Sequence, residues 1–107
     1  MFGGLGEMAG LMKKFGEIQK NMKKMKEELA STAITGKDPT AQVVLEMTGD
    51  MAVKGIHIAP SLLNSGNSAM LETACTSAVQ NALDQFKELT ARKLSEATGG
   101  LNLPGLM

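Results

Sequence analysis

Aromatic residues are nearly missing from this chain. Phe2, Phe15 and Phe86 are all it has, with no Trp and no Tyr. Proteins that hold single-stranded nucleic acid stack bases on aromatic platforms, so that mode of binding is all but excluded. Cysteine is almost absent too: Cys75 is alone. No intrachain disulfide can form, and a reducing cytoplasm is the expected compartment. No apolar run approaches the ~20 residues that span a bilayer. The opening MFGGLGEM lacks the charged segment and cleavage site of a signal peptide. Phe2 stands where N-myristoylation needs glycine, and the last residues carry no prenylation box. Net charge is missing as well, with eleven bases against eleven acids over 107 residues. That balance argues against a protein that coats nucleic acid over its whole surface. The length is that of one domain, 1–107.

What is present is concentrated near the start. Leu5–Ala30 reads as one long amphipathic helix. Met8, Met12, Phe15, Ile18, Met22, Met25 and Leu29 recur at steps of three or four, which places them on one stripe. Lys13, Lys20 and Lys24 point the opposite way. Leu11–Lys26 carries six lysines and one acid, Glu17, so it is +5 and the remainder of the chain is −5. Any anion binding is therefore local. About 26 residues at ~1.5 Å rise make a rod of roughly 39 Å. A compact domain of about 100 residues has a radius of gyration near 13 Å. The rest of the chain is too small to cover the stripe, so a second helix beside it and a second chain are expected. Methionine, at nine residues, suits such helix contacts and reads mainly as core filler.

The remainder reads as strands and a second helix. Met1–Gly6 is glycine-rich and expected to be mobile. Ser31–Gly36 is a β-branched first strand, and Lys37–Thr40 is a turn built on Asp38 and Pro39. Gln42–Met47 alternates, with Val43, Leu45 and Met47 on one side. Thr48–Met51 is a hairpin candidate with Gly49-Asp50 central in a type II′ turn. That turn pairs Met47 with Ala52, Leu45 with Lys54 and Val43 with Ile56, and it adds Ala52, Ile56 and Ile58 to the apolar face. Lys54 is then the misfit, and Gly55 beside it suggests a bulge that turns Lys54 outward. Ala59–Asn67 is a turn anchored by Leu62 and Leu63. A second long helix begins near Ser68, capped by Asn67 or Ser68. Its apolar face is Leu71, Cys75, Ala78, Val79, Ala82, Leu83, Phe86, Leu89, Leu94 and Ala97, and Gly99-Gly100 ends it. Leu101–Met107 is an apolar tail closed by Pro104. The class is α+β: helix, three-stranded antiparallel sheet, helix.

Motifs along this order are familiar together. MFGGLG, LMKK at Leu11–Lys14, MKKMKEELA at Met22–Ala30, ITG at Ile34–Gly36, PSLL at Pro60–Leu63, MLE at Met70–Glu72 and TGGLNLPG at Thr98–Gly105 resemble the YbaB/EbfC family of bacterial nucleoid-associated proteins. The resemblance implies an intertwined, tweezer-like homodimer with a shared sheet, no enzymatic activity, and binding of double-stranded DNA in the cytoplasm at the nucleoid, with a role in nucleoid organisation and gene regulation. It implies phosphate contacts from the first-helix lysines, Lys13, Lys14, Lys20, Lys23, Lys24 and Lys26. Basic residues near the sheet and last helix, here Lys54, Lys87, Arg92 and Lys93, are implied too. Val43, Leu45, Met47, Ile56, Ile58, Met22 and Met25 are the expected dimer interface. This chain departs from the pattern in the hairpin, where Val44 and Glu46 sit in one arm and only Lys54 is basic in the other.

Each signal has a plainer reading. The helix lysines could form a solvated face, paired as Lys13–Glu17, Lys23–Glu27 and Lys24–Glu28. Lys20 and Lys24, however, are a like-charge pair that a purely structural face would avoid. Lys87, Arg92 and Lys93 lie at pairing distance from Asp84, Glu88 and Glu96 and read more readily as structural. His57 and Cys75 supply neither a metal set nor a nucleophile pair, and Gly3-Gly4-x-Gly6 is not a phosphate loop. No cofactor, small-molecule substrate or membrane partner is expected, although the first twenty residues resemble an interfacial amphipathic segment. The competing reading is an interaction scaffold that docks partner helices on its Met-rich stripe.

Overall fold

Helix α1 spans Gly3–Ser31 in a computed structural model that describes residues 3–99, with side chains from Met8 onward. The expectations for Met1, Phe2, Gly100 and the tail 101–107 fall outside the described residues. The helix ends where β-branched and hydroxyl residues take over. Ser31 and Thr32 both turn their hydroxyls back onto the Glu28 carbonyl, at 3.0 and 2.6 Å, satisfying an acceptor the helix leaves open. Strand β1, Ala33–Lys37, follows at once.

Asp38 builds the next turn. Its main-chain oxygen accepts from Ala41, and its carboxylate accepts from the amides of Thr40 (3.1 Å) and Val43 (2.8 Å). Asp and Pro at the first two positions are what a type I turn favours. Strand β2 is Val43–Thr48 and β3 is Val53–Ile58, giving an antiparallel sheet in the order β1-β2-β3.

The hairpin register corrects the expected one. Met47 faces Val53, Leu45 faces Ile56 and Val43 faces Ile58. Gly49 is not in a positive-φ conformation, whereas Met51 is, at φ 68°. The Met51 amide bonds the Thr48 carbonyl and the Thr48 amide bonds the Ala52 carbonyl. This is a three-residue loop with a left-handed third residue, the next commonest hairpin after the two-residue type. Gly49 is needed for room instead. A Cβ there would lie 2.8 Å from the Leu29 carbonyl at the end of α1. The expected bulge is present: pairing shifts between Glu46 and Met47, and Lys54 is the extra residue opposite them.

Pro60–Asn64 forms a short helix, α2, where a turn was expected. Proline at its first position costs no hydrogen bond and presets φ. Leu62 is buried under it while Leu63 is exposed, so only one of the two expected anchors holds. Helix α3 is Ser68–Ala97, capped by Asn67, whose side chain accepts from the Met70 amide at 3.1 Å. Gly99, at φ 66°, ends it.

Helix α3 lies over β1 and β2 and reaches them through small residues. Ala74, Ala78 and Ala82 are buried against the sheet. A Cβ on Gly36 would come within 2.4 Å of the Ala78 carbonyl, so helix and strand approach as closely as a glycine allows. Two apolar clusters result. One joins Met25 and Leu29 of α1 to Ile34, Leu45, Met47 and the C-terminal half of α3. The other joins Val43, Leu62, Ala74 and Ala78. Val43, Leu45, Met47 and Met25 are thus covered within one chain, and the expectation that they face a second chain is corrected. The alternation identified their face, and α3 is what covers it.

Two surfaces stay open. The fold measures 75 × 23 × 14 Å with a radius of gyration of 20.4 Å, well beyond the ~13 Å of a compact domain this size. Most of that length is α1. The second open surface is β3, an edge strand beyond the reach of α3, where Val53 and Ile56 are exposed.

Candidate nucleic-acid interface

Helix α1 divides into two halves. In the second, residues 21–31, Met25 and Leu29 are buried and Met22 packs against the same cluster. Asn21 donates to the Ala97 carbonyl at 3.4 Å, and Glu28 meets Lys93 at 3.0 Å. The two helices are therefore antiparallel, and α3 ends beside Asn21. Residues 3–20 run on past that point. At ~1.5 Å per residue they make an arm about 27 Å long. On it Met8, Leu11, Met12 and Phe15 are 60, 65, 72 and 62 % exposed.

The lysines surround this helix. Lys13, Lys14 and Lys20 are exposed on the arm, and Lys23, Lys24 and Lys26 on the outward sides of the packed half. Among the described residues Lys24 alone of the six has an ion-pair partner within 4.0 Å, Glu28, and its own side chain remains 75 % exposed. The like charges are held apart by the helix geometry and are free to meet an external anion.

Lys93 behaves differently. It was expected as a phosphate contact, but its side chain is 23 % exposed and reaches Glu28 at 3.0 Å and Glu96 at 3.8 Å. It is engaged in fastening α3 to α1. Its hydrogen bond and its charge hold the Glu28 carboxyl below the ordinary carboxylate range, with Lys24 adding a smaller push the same way. Lys87 and Arg92 are exposed on α3 and, among the described residues, without an ion pair.

The outer face of the sheet carries mixed charge. Lys37 pairs with Val44, and Val44 with His57. His57 Nε2 lies 3.5 Å from Glu46 Oε2, both exposed. Lys54 projects from the bulge. A face holding Glu46 among its few bases is a poor phosphate surface beside α1. Lys37 escaped the sequence reading because it borders a turn, and only its strand parity shows that it faces outward. No three His, Cys, Asp or Glu come together as metal ligands among the described residues, and no described helix is long and apolar enough to cross a membrane.

A model of the YbaB/EbfC DNA-binding family matches residues 4–101, nearly the whole chain. The chain belongs to the YbaB/EbfC family. Within it, a nucleoid-associated protein of Pseudomonas fluorescens strain Pf0-1 is 38% identical over 105 residues, covering 95% of this chain and 94% of that one. A nucleoid-associated protein of Lactococcus lactis subsp. cremoris strain MG1363 is 34% identical over 94 residues, covering 88% and 95%. The fold recurs in a crystal structure of an uncharacterized Helicobacter pylori protein, at TM-score 0.62 and 18% identity, over 81% of this chain and 98% of that one. The family is a non-enzymatic one. Its match runs through the arm, the sheet and α3 alike, so the arm is part of the family's shared chain and no appendage to it.

Proposed function

We propose that this protein binds duplex DNA at the nucleoid as a homodimer, mainly by phosphate contacts from the lysines of α1, and so takes part in nucleoid organisation and gene regulation. The observation that carries the reading is the lysine cluster of α1: all six lysines are exposed, and residues 11–26 sum to +5 while the rest of the chain sums to −5. Lysines are point-charge phosphate contacts, and Arg92 is the chain's one arginine, so bidentate reading of guanine is scarcely available. Binding is therefore non-specific to weakly specific.

Dimerisation is supported by β3. An edge strand with exposed Val53 and Ile56 is a template for another strand, and β3 meeting β3 of a second copy is self-complementary about a two-fold axis. Of the interface residues expected from sequence, Ile56 and Ile58 lie on that strand and belong to this reading. Two chains double the cationic arms that one duplex can meet.

The test is an electrophoretic shift of duplex DNA across salt. Each neutralised phosphate contributes about −0.9 to the slope of log affinity against log salt, so two to four contacts from each α1 of a dimer give roughly −4 to −7. No shift even at about 50 mM salt would favour the scaffold reading, in which the exposed Met and Phe side chains dock a partner helix.

A further inference from the structure

One row of lysines on α1 leads to the place where α3 crosses it. Lys13, Lys20 and Lys24 follow at steps of seven and four, which keeps them on one side of the helix. One turn past Lys24, about 6 Å along the axis, the row meets Glu28. There the next cation comes from the other helix. Lys93 Nζ lies 3.0 Å from Glu28 Oε2, and Lys24 Nζ lies 4.0 Å from Glu28 Oε1. One carboxylate thus stands between two ammonium groups, one from α1 and one from α3. Lys24, Glu28 and Lys93 line an open recess together with Asn21 and Glu96. Glu96, at 3.8 Å, is beyond hydrogen-bond reach of Lys93, so Glu28 is the acid that holds it.

We infer, resting on the reading that α1 meets duplex DNA, that Glu28 is a built-in competitor for phosphate. Its carboxylate occupies the place between Lys24 and Lys93 that a backbone phosphate would take. Carboxylate and phosphate are both oxyanions that accept from ammonium donors. The contact is one that an external anion can displace. The side chains of Lys24 and Glu28 are 75 and 39 % exposed, and ion pairs open to water are weak. Until it is displaced, Glu28 withholds Lys93 from DNA and partly neutralises Lys24. Without the carboxylate, the row Lys13, Lys20, Lys24 would run on by one further cation, Lys93.

Two measurements on the full chain decide this. The first is the salt-dependent shift of duplex DNA by the parent, Glu28→Gln and Glu17→Gln. Glutamine keeps an acceptor for Lys93 and removes the charge. Glu17 is the other acid on this side of α1, exposed and, among the described residues, without an ion pair. Glu28→Gln should bind more tightly than the parent. Its slope of log affinity against log salt should be steeper by at least about 0.9, one further phosphate neutralised. Glu17→Gln, with the same change of charge, should steepen the slope by less than about half of that. The second is acetylation of Lys93 by a water-soluble reagent. DNA should slow it in Glu28→Gln and slow it less in the parent. A Glu28→Gln slope no steeper than that of Glu17→Gln overturns the inference and leaves the DNA reading standing. So does Lys93 acetylation that DNA leaves unchanged in Glu28→Gln. No shift by the parent even at about 50 mM salt overturns both.

Discussion

The two halves of α1 are written in the same alphabet, methionine and lysine at helical spacing, and meet opposite fates. Residues 21–31 bury Met25 and Leu29 against α3 and the sheet. Residues 3–20 leave Met8, Met12 and Phe15 in the open. What separates them is the length of the partner helix: α3 ends at Ala97, level with Asn21. Amphipathic periodicity declares that a face wants cover, and the neighbour decides how much of it receives any. In the covered half the apolar stripe supplies stability. The open half carries Lys13, Lys14 and Lys20, exposed, beyond the end of α3.

Mutations that weaken this contrast differ widely in expected size. Leu29→Ala opens a cavity where α1 meets Leu89 and the sheet, and it should cost about 2–5 kcal/mol by chemical denaturation. Met8→Ala on the arm should stay within about 0.5 kcal/mol. Equal costs would dissolve the distinction. Gly36→Ala attacks the packing beneath the covered half. Its methyl would strike the Ala78 main chain, and about 1–3 kcal/mol or more should be lost.

Acid should act on two anchors of the body. Thr40, through its hydroxyl, and then the Val43 amide hold Asp38 below its ordinary range, and Lys93 does the same for Glu28. Both carboxyls have folded values below their unfolded ones. Their contribution is complete above the unfolded values, near 4, and is lost as pH falls through the folded ones. Melting temperature should therefore be flat from neutrality to about pH 5 and then fall. Asp38→Asn should lower it at pH 7 and make the acid decline shallower. An unchanged profile in that variant would remove Asp38 as an anchor. The smallest effect concerns Ala41, held at φ 57°. Ala41→Gly should raise stability by about 0.5–1 kcal/mol, because glycine enters this region without the Cβ clash.

Much of the body was legible in sequence because it rests on local chemistry. Asp38-Pro39 announced a turn, Asn67 a cap and Gly55 a bulge, each through its own backbone preferences. The hairpin loop was misread because Gly49-Asp50 suits a type II′ turn, while tertiary packing put Gly49 against α1 and passed the left-handed conformation to Met51. Val43, Leu45 and Met47 were placed on the right face and assigned the wrong cover, since alternation says nothing about what lies opposite. Lys93 reads in sequence as a candidate phosphate contact because its partner Glu28 is 65 residues away. The lysines of the arm were legible as a charged stretch, but their projection beyond α3 depends on where two distant helices align.

The central claim is that α1 is the anion-binding element of a molecule whose remainder is acidic. It is tested most directly by the salt dependence of duplex-DNA affinity for the parent and for Lys20→Glu/Lys23→Glu/Lys24→Glu, with a Lys87→Glu/Arg92→Glu variant alongside. The account predicts a parent slope of roughly −4 to −7 and loss of affinity by at least about a hundredfold in the triple variant. Melting temperature and oligomeric mass should be retained, and the α3 pair should produce a smaller loss. An unchanged shift with the three α1 lysines reversed would contradict it.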